Sequence, residues 1–520
     1  MRHLLTAVLG TALASGPLVA DTTQSSNVTA PGAARKNVSR SKKKGSPKKS
    51  AGKSAPGAAS VPKAAVNGKA ASSTTRPASV SNRSRTAAGT TKKSTVRRRA
   101  VARHVPAGPP VAPSMRARAV AVVNEDVQEG AEIPIEYPAA LVPFYEQLYR
   151  HQRGEMDDPL RILQYGDSHT AADEWTGELR ARFQARFGDG GSGYSFAGRP
   201  WSSYRHLDLR TGSTPGWRVE GLAGHPGDGL YGLGGVSMST DRAHEGVYLV
   251  AECQQLELFY LQQPGGGAVQ LFDNGALVER ISTDGETGPG YYRYLTTPGQ
   301  HRFELETLDS SPVRLFGWVT EKSGGVTYET LGINGAQASI VFNWDEQMLA
   351  SNLAHRNPAL IVLAYGTNEA GDREWTLESY REMFSSLIQR FRKAAPAASI
   401  LVLGPPDRFV QSRGRWIPMQ NIGMIIEAQR QAALANRCAF LDLRDKMGGK
   451  GSMQQWVTAG MAQYDHVHFT GPGYRLLGDS IFRDLMGEYQ TFLKAREQWM
   501  TGQAAPPPDS GVETAPALSN

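Results

Sequence analysis

The sequence predicts an α/β protein whose parallel sheet is covered by helices on both faces, with an all-β domain inserted into it. Short apolar runs of strand length alternate with amphipathic helices before residue 206 and again after residue 325. Between these two parts, helical spacing disappears and short alternating runs are separated by glycine-containing turns. The segments 21–130 and 503–520 show neither pattern, and we expect both to be disordered.

Residues 1–20 are typical of a secretory signal peptide. An Arg-His pair precedes an apolar run over residues 4–13, and small residues continue as far as Ala20. The run is too short to span a bilayer comfortably, although an uncleaved membrane anchor is the alternative. We therefore expect the protein to be exported to the periplasm or the cell envelope.

Residues 21–130 are predicted to form a disordered, basic linker. Residues 21–118 contain no aromatic side chain and carry 22 Lys and Arg against a single acid, Asp21. The net charge of the whole chain is +8, so residues 119–520 carry a net charge of −14. We expect the linker to bind an anionic envelope polymer or a membrane surface rather than nucleic acid. A solvated spacer is the alternative.

The first α/β segment, residues 131–205, begins with helical spacing over 139–151. An apolar strand over 160–165 follows and ends at the motif Gly-Asp-Ser-His, residues 166–169. Large apolar side chains then recur every four residues over 175–187, which predicts a helix with one buried stripe. The motif therefore lies at the carboxyl end of a buried strand, where open α/β sheets bind their ligands.

Residues 206–325 are predicted to be an inserted β-sandwich. Asn274-Gly275 and Asp284-Gly285 are typical of hairpin turns between its short alternating runs. Some of its aromatic side chains could stack on sugars, although such residues more often belong to the core or surface of a sandwich. The aromatic residues in question are Tyr260, Tyr291 and Tyr292.

The second α/β segment, residues 326–502, repeats the alternation of strands and helices. The predicted strands cover residues 326–331, 360–365, 400–403 and 438–443, and the predicted helices cover residues 375–391, 419–436 and 473–499. Continuous apolar runs of this kind are typical of strands buried on both faces of a parallel sheet. Two cysteines, Cys253 and Cys438, form no disulfide framework, and the sequence leaves open whether they pair.

The residues that follow these strands indicate a serine nucleophile with its base. Ser168 lies between a strand and a helix, where its hydroxyl is exposed; the alternative is a simple helix cap. Asp465 and His468 follow the last strand three residues apart, so the carboxylate can orient the imidazole that deprotonates the serine. We expect His466 to point elsewhere and to have a structural role.

Two further strand ends supply donors for a tetrahedral oxyanion. Asn368 follows the strand over 360–365, and its side-chain amide can donate a hydrogen bond. In the motif Gly-Ile-Asn-Gly-Ala, Gly335 is the first candidate for a backbone donor and Gly332 is the second. The backbone N–H of Ser168 completes the predicted oxyanion hole.

These four blocks, in this order, resemble those of the SGNH/GDSL hydrolases. The resemblance implies a flavodoxin-like three-layer sandwich, Ser168, Asp465 and His468 as catalytic residues, and Ser168, Gly335 and Asn368 as the oxyanion hole. It implies no metal and no cofactor. The sequence departs from the family pattern at His169, where Leu gives the family its name, and at Glu369, where Asp is commoner.

Within that family, Gly-Asp-Ser-His-Thr-Ala-Ala-Asp followed by Phe-Gly-Asp-Gly-Gly-Ser-Gly resembles the peptidoglycan O-acetylesterases of Gram-negative bacteria. That group is similar to this chain in its jelly-roll-like insert, which is akin to a family 35 carbohydrate-binding module. The resemblance implies hydrolysis of the C6 O-acetyl ester of N-acetylmuramic acid in peptidoglycan, through an acetyl-serine intermediate.

Other functions fit part of the pattern. The same residues could transfer the acyl group to a sugar, or could act on another acylated polysaccharide. A non-catalytic wall-binding protein would use the insert and the basic linker alone. A metal-dependent phosphoesterase would lose activity with a chelator and would need several nearby ligands. The candidate ligands are Asp167, His169, Asp465, His466 and His468.

Overall fold

The computed structural model describes residues 108–130 and 134–502. The predicted signal peptide, residues 21–107 of the predicted linker and the predicted tail at 503–520 lie outside the described residues. Within the described ranges, no helix is both long enough and apolar enough to cross a membrane.

The strands and helices are numbered separately in chain order. The strands are β1 (Leu160–Gly166), β2 (Gly193–Phe196), β3 (Arg210–Ser213), β4 (Arg218–Glu220), β5 (Ser237–Thr240), β6 (Gly246–Gln262), β7 (Ala268–Asp273), β8 (Ala276–Ser282), β9 (Gly288–Thr307), β10 (Val313–Glu321), β11 (Val326–Gly332), β12 (Leu360–Ala364), β13 (Ser399–Gly404), β14 (Phe409–Ser412), β15 (Arg415–Pro418) and β16 (Ala439–Asp442). The helices are α1 (Pro113–Glu129), α2 (Val142–Gln152), α3 (Ser168–Ala171), α4 (Trp175–Phe187), α5 (Glu346–Arg356), α6 (Leu377–Ala394), α7 (Ile422–Ala435), α8 (Leu443–Lys446), α9 (Met453–Ala459) and α10 (Gly471–Met500).

Five parallel strands form the central sheet in the order β11-β1-β12-β13-β16. Because β11 lies on one side of β1 and β12 lies on the other, the direction of strand addition reverses between β1 and β12. Ligands of open α/β sheets bind at such a switch point, outside the carboxyl ends of the strands. The predicted flavodoxin-like α/β fold is confirmed.

Alternating side chains of the strands enter two different helix layers. Ile162 of β1 packs in the core shared with α2, α4 and α10, whereas its neighbour Leu163 packs in the core shared with α5, α6 and α7. Burial on both faces explains why these strands are continuous apolar runs in the sequence. The predicted helices and strands of both α/β segments agree with the observed bounds to within a few residues.

The prediction that residues 21–130 are entirely disordered is wrong for α1. Ala119, Val123 and Val127 recur every four residues and are buried in the same core as Met453 and Trp456 of α9. The basic composition before residue 118 obscures this apolar stripe in the sequence. The helix is stabilised by packing of the stripe and not by helix propensity.

The predicted insert is an antiparallel all-β domain, as expected, but its sheet begins before residue 206. Strand β2, within the predicted first hydrolase segment 131–205, pairs with β10 in the nine-stranded antiparallel sheet. The Asn274-Gly275 pair connects β7 and β8 with both residues at positive φ, as a two-residue hairpin turn requires. Asp284-Gly285 lies in a longer connection between β8 and β9.

Side chains of the insert pack directly on a helix of the hydrolase part. Phe259 and Leu261 of β6 are fully buried in the core shared with α5, α6 and α7. The ring of Tyr291 stacks on His355 of α5 at a centroid distance of 3.6 Å. Of the tyrosines considered for sugar stacking, Tyr260 is buried and Tyr292 packs against the core of the insert. These contacts anchor the insert to α5. The three tyrosines considered for sugar stacking already make packing contacts within the protein.

Cys253 and Cys438 are both free and buried. Burial raises the pKa of each thiol. Each cysteine therefore behaves as a small core side chain, Cys253 in the insert and Cys438 directly before β16 of the central sheet.

Candidate active site

A sharp turn after β1 places Ser168 at the topological switch point. A Cβ atom on Gly166 would lie 2.2 Å from Oγ1 of Thr170 and 2.6 Å from the carbonyl oxygen of Ala364, so only glycine fits there. Asp167 is the N-cap of α3, and its carboxylate accepts a hydrogen bond from the backbone N–H of His169 at 2.9 Å. Ser168 is therefore the first residue of the helix, and its N–H has no acceptor within it.

Ser168, His468 and Asp465 form a continuous chain of hydrogen bonds. The Oγ of Ser168 lies 2.9 Å from Nε2 of His468, and Nδ1 of His468 lies 2.7 Å from Oδ2 of Asp465. The other carboxylate oxygen of Asp465 accepts the backbone N–H groups of Val467 and His468, each at 3.0 Å. This geometry holds a proton on Nδ1, so that Nε2 can accept the serine proton.

The charge of Asp465 is stabilised by the residue that it orients. Burial alone would raise the pKa of this carboxyl, but the hydrogen bonds from His468 outweigh burial and lower the pKa to about 2. Asp465 is therefore ionised at neutral pH, and it can stabilise the imidazolium that forms when His468 takes a proton.

The structure distinguishes the two glycines considered as oxyanion donors. Gly332 is buried at the end of β11, where a Cβ atom would lie 2.2 Å from the backbone nitrogen of Ala171, so its role is close packing. Gly335 is exposed at a φ of +77°, and the one atom near its Cβ position is Cβ of Ala223 at 3.9 Å. Gly335 thus remains the predicted donor, in a loop that a substrate can approach.

Asn368 lies against the loop that carries Gly335. Its Nδ2 donates to the carbonyl oxygen of Ala336 at 2.8 Å, which fixes the orientation of the amide. An amide nitrogen carries two hydrogens, so one remains for an oxyanion. The assignment of Ser168, Gly335 and Asn368 to an oxyanion hole remains a prediction, and this geometry supports it.

Glu369 connects the loops that carry these donors. Sequence reasoning did not identify this role. Its buried carboxylate accepts the backbone N–H of Ala338 at 2.7 Å, the backbone N–H of Gly366 at 3.1 Å and the hydroxyl of Tyr380 at 3.2 Å. Burial raises the pKa of Glu369 to about 7, although the hydrogen bond from Ala338 opposes that rise. The only signal in the sequence was its position beside Asn368, where the family commonly has Asp.

A hairpin of β14 and β15, with Arg408 directly before it and Trp416 on β15, lies beside the catalytic residues. Sequence reasoning also missed this hairpin. The guanidinium of Arg408 donates to the carbonyl oxygen of Thr367, next to Asn368. Burial lowers the pKa of Arg408, and the charges of Asp167 and Asp465 oppose that shift. The Arg413-Gly414 turn, with both residues at positive φ, was the available sequence signal for this hairpin.

The residues considered as metal ligands have other contacts. Nδ1 of His169 lies 3.0 Å from the hydroxyl of Tyr474, and burial lowers the pKa of His169 well below its usual value. His466 stacks on Trp416 at a centroid distance of 4.4 Å, which fits the structural role expected for it. In residues 108–130 and 134–502, no group of three or more His, Cys, Asp or Glu side chains is arranged to hold a metal ion.

Comparisons with known proteins agree with this geometry. Residues 299–476 match the model of the GDSL-like lipase/acylhydrolase family, a range that contains Gly335, Asn368, Asp465 and His468. A solved structure of a peptidoglycan O-acetylesterase is 27% identical, with a TM-score of 0.58, over 67% of this chain and 96% of that chain. No curated protein matches the chain.

More distant structures include a family two carbohydrate esterase from Clostridium thermocellum in complex with cellohexaose. It is 11% identical, with a TM-score of 0.26, over 49% of this chain and 95% of that chain. The family two carbohydrate esterase from Cellvibrio japonicus is 11% identical, with a TM-score of 0.24, over 54% and 98% of the two chains. The family match over residues 299–476 and the likeness to a peptidoglycan O-acetylesterase support an SGNH/GDSL hydrolase fold and an esterase activity for this chain.

Proposed function

We propose that this esterase hydrolyses O-acetyl esters on a cell-wall glycan, and that its substrate is the C6 O-acetyl group of N-acetylmuramic acid in peptidoglycan. The observation that carries the proposal is the likeness to a peptidoglycan O-acetylesterase, which covers 96% of that chain. The hydrogen-bonded Ser168, His468 and Asp465 support the chemistry, because they supply a nucleophile, a base and its orienting carboxylate.

In the first half of the reaction, Nε2 of His468 takes the proton of Ser168 as Oγ attacks the acetyl carbonyl carbon. The carbonyl oxygen becomes an oxyanion that accepts hydrogen bonds from the N–H groups of Ser168 and Gly335 and from the amide of Asn368. The bond between the acyl carbon and the sugar oxygen then breaks, and His468 gives its proton to that oxygen.

In the second half, water attacks the acetyl-serine while His468 takes a proton from it. The ester bond to Oγ breaks, His468 returns the proton to Ser168, and acetic acid leaves and ionises to acetate. Every proton moves between serine, histidine, water and sugar, so the mechanism uses neither a metal nor a cofactor.

Export to the periplasm or cell envelope is part of the proposal, and the pattern of residues 1–20 supports it. An exported enzyme would meet a cell-wall glycan directly. The basic residues of the N-terminal segment, 22 Lys and Arg over 21–118, support binding to an anionic envelope polymer or membrane surface.

The test is acetate release from O-acetylated peptidoglycan by the purified full chain, with and without a chelator, beside Ser168→Ala. We expect acetate release to be unaffected by the chelator, and kcat of the variant to be lower by about 10⁴-fold or more. Serine-dependent cleavage of a small acetyl ester without release from peptidoglycan would indicate another acylated polysaccharide. Acetyl transfer to an added sugar would indicate a transferase, and sensitivity to the chelator would indicate a metal-dependent enzyme.

A further inference from the structure

A groove with a volume of about 740 Å³ opens beside His468, and we name it the His468 groove. Ligand sites commonly have volumes of about 300–1,000 Å³. Its walls come from five separate parts of the chain: the segment with Gly108 and Arg116, the turn with Ala172 and Glu174, Arg205, Trp416, and residues 454–474. Neither Gly335 nor Asn368, the predicted oxyanion donors, is among the residues that line it.

The proposed reaction places the sugar on the side of His468. The carbonyl oxygen of the acetyl group has to reach Gly335 and Asn368, whereas the sugar oxygen has to reach Nε2 of His468 to receive its proton. The acetyl group is small, and all the rest of the substrate continues from the sugar oxygen. The glycan therefore extends from His468, and the His468 groove is the space that adjoins it.

Positive charge predominates among the residues that line the groove. Arg205 donates to the carbonyl oxygen of Ala172 at 2.8 Å and to Glu174 at 3.0 Å, and Arg475 shares the same carboxylate at 3.2 Å. Arg205 in the groove and Arg475 next to it thus both pair with Glu174, the one carboxylate that lines the groove, and Arg116 is the second arginine that lines it. This local positive charge contrasts with the net charge of −14 carried by residues 119–520, so the groove is a favourable place for an anion on an acidic protein.

Arg116 is the arginine best placed to bind such an anion. It is exposed on α1, and its guanidinium lies 3.9 Å from the Cβ position at Gly460, on the wall of the groove. Within the described ranges, the ion pairs between side chains do not include Arg116. Its hydrogen-bond donors can therefore serve a carboxylate of the substrate.

Aromatic side chains support the wall on which Arg116 lies. Trp416 and Tyr464 both line the groove, and Trp416 stacks on His466 at 4.4 Å. The backbone at Gly108 lies so close to the ring of Tyr464 that a Cβ atom there would be 2.5 Å from Cδ2. The start of the described chain is thus packed onto the active-site end of the sheet.

We propose that the His468 groove binds the stretch of glycan next to the acetylated sugar, and that Arg116 recognises a carboxylate on it. The proposal rests on the proposed function and names a further part of its substrate. In peptidoglycan, the peptides attached to muramic acid supply such carboxylates, and so do the lactyl groups of muramic acid residues that carry no peptide.

The test compares Arg116→Glu with Arg118→Glu in the full chain. Both arginines are exposed on α1, but Arg118 does not line the groove, so it is a matched control. Acetate release from O-acetylated peptidoglycan is measured beside cleavage of 4-nitrophenyl acetate, a small neutral ester. We expect Arg116→Glu to lower kcat/KM on peptidoglycan about tenfold, mainly by raising KM. It should leave the small ester unchanged, and Arg118→Glu should change neither.

Amidating the carboxylates of the peptidoglycan should abolish the difference between the wild type and Arg116→Glu. Equal rates for the two charge-reversed variants on untreated peptidoglycan would overturn the inference, as would an equal loss on both substrates. The failure of the proposed function is distinguishable, because the wild type would then release no acetate from peptidoglycan above the level of Ser168→Ala.

Discussion

The two sides of Ser168 differ in burial and in connection to the rest of the fold. On the oxyanion side, Gly335 and Asn368 belong to loops that the fully buried Glu369 joins through two backbone N–H groups. On the other side, the side chains of His468 and Asp465 are 35% and 38% exposed, and His468 borders an open groove. The carbonyl of an acetyl ester is the same in every substrate, whereas the sugar side has to admit a large and variable group.

This difference indicates that the oxyanion side is the rigid part of the site and that the groove side selects the substrate. Donors for an oxyanion act best when they are preorganised and pay no reorganisation energy during the reaction. A buried carboxylate that accepts three hydrogen bonds provides such support. The groove, in contrast, contains exposed arginines that can change partners when a substrate binds.

The largest expected effect separates two histidines of one loop. His468→Ala should lower kcat about 10⁴-fold or more on any acetyl ester, because the serine loses its base. His466→Ala should keep kcat within a few fold and lower the melting temperature, because its ring packs between Trp416 and Phe409. Steady-state kinetics and thermal unfolding check both variants. Comparable losses of kcat would mean that the loop acts as a unit and that the two histidines have no separate roles.

The next effect tests whether the oxyanion side acts on the transition state alone. Asn368→Ala should lower kcat about 10²–10³-fold with little change in KM, because the amide contacts the substrate oxygen only as charge develops. Asn334→Ala is the matched control, since Asn334 is an exposed neighbour of Gly335 with a hydrogen bond of 3.4 Å to Ser203. Kinetics on 4-nitrophenyl acetate measure both. An increase in KM without a change in kcat would show that Asn368 only helps to bind the ground state.

The smallest effect concerns Glu369 and the pH dependence of stability. Burial raises the pKa of its carboxyl from 4.5 to about 7, so the folded state holds this proton more tightly than the unfolded chain. The stabilisation is complete below pH 4.5 and is lost as the pH rises to about 7. Between these values the free energy of unfolding of the wild type should fall by about 1–3 kcal/mol more than that of Glu369→Gln. Urea unfolding at several pH values measures this, and parallel curves would contradict the shift.

The fold and the candidate site could be predicted from the sequence in different degrees. Ser168, Gly335 and Asn368 could be selected as candidates because each follows an apolar strand, and the carboxyl ends of parallel strands meet at one edge. Asp465 and His468 lie beyond β16, α8 and α9, and their spacing of three residues was the signal that selected them. The role of Glu369 was not predictable, because its partners at Ala338 and Tyr380 become neighbours only after the loops pack. The same holds for strand β2, which joins the sheet of the insert across more than a hundred residues.

The sequence by itself determined the alternation of strands and helices, the turn chemistry and the order of the four blocks. These features depend on residues close together along the chain, where periodicity and glycine positions limit the backbone directly. Only the tertiary structure decided that α1 is folded, that Gly335 and not Gly332 is open to substrate, and that Arg116 lies on a groove beside His468. Those outcomes depend on contacts between segments that are distant in sequence, such as Ser168 and His468, which are 300 residues apart. No local sequence pattern predicts which side chains such contacts will bury.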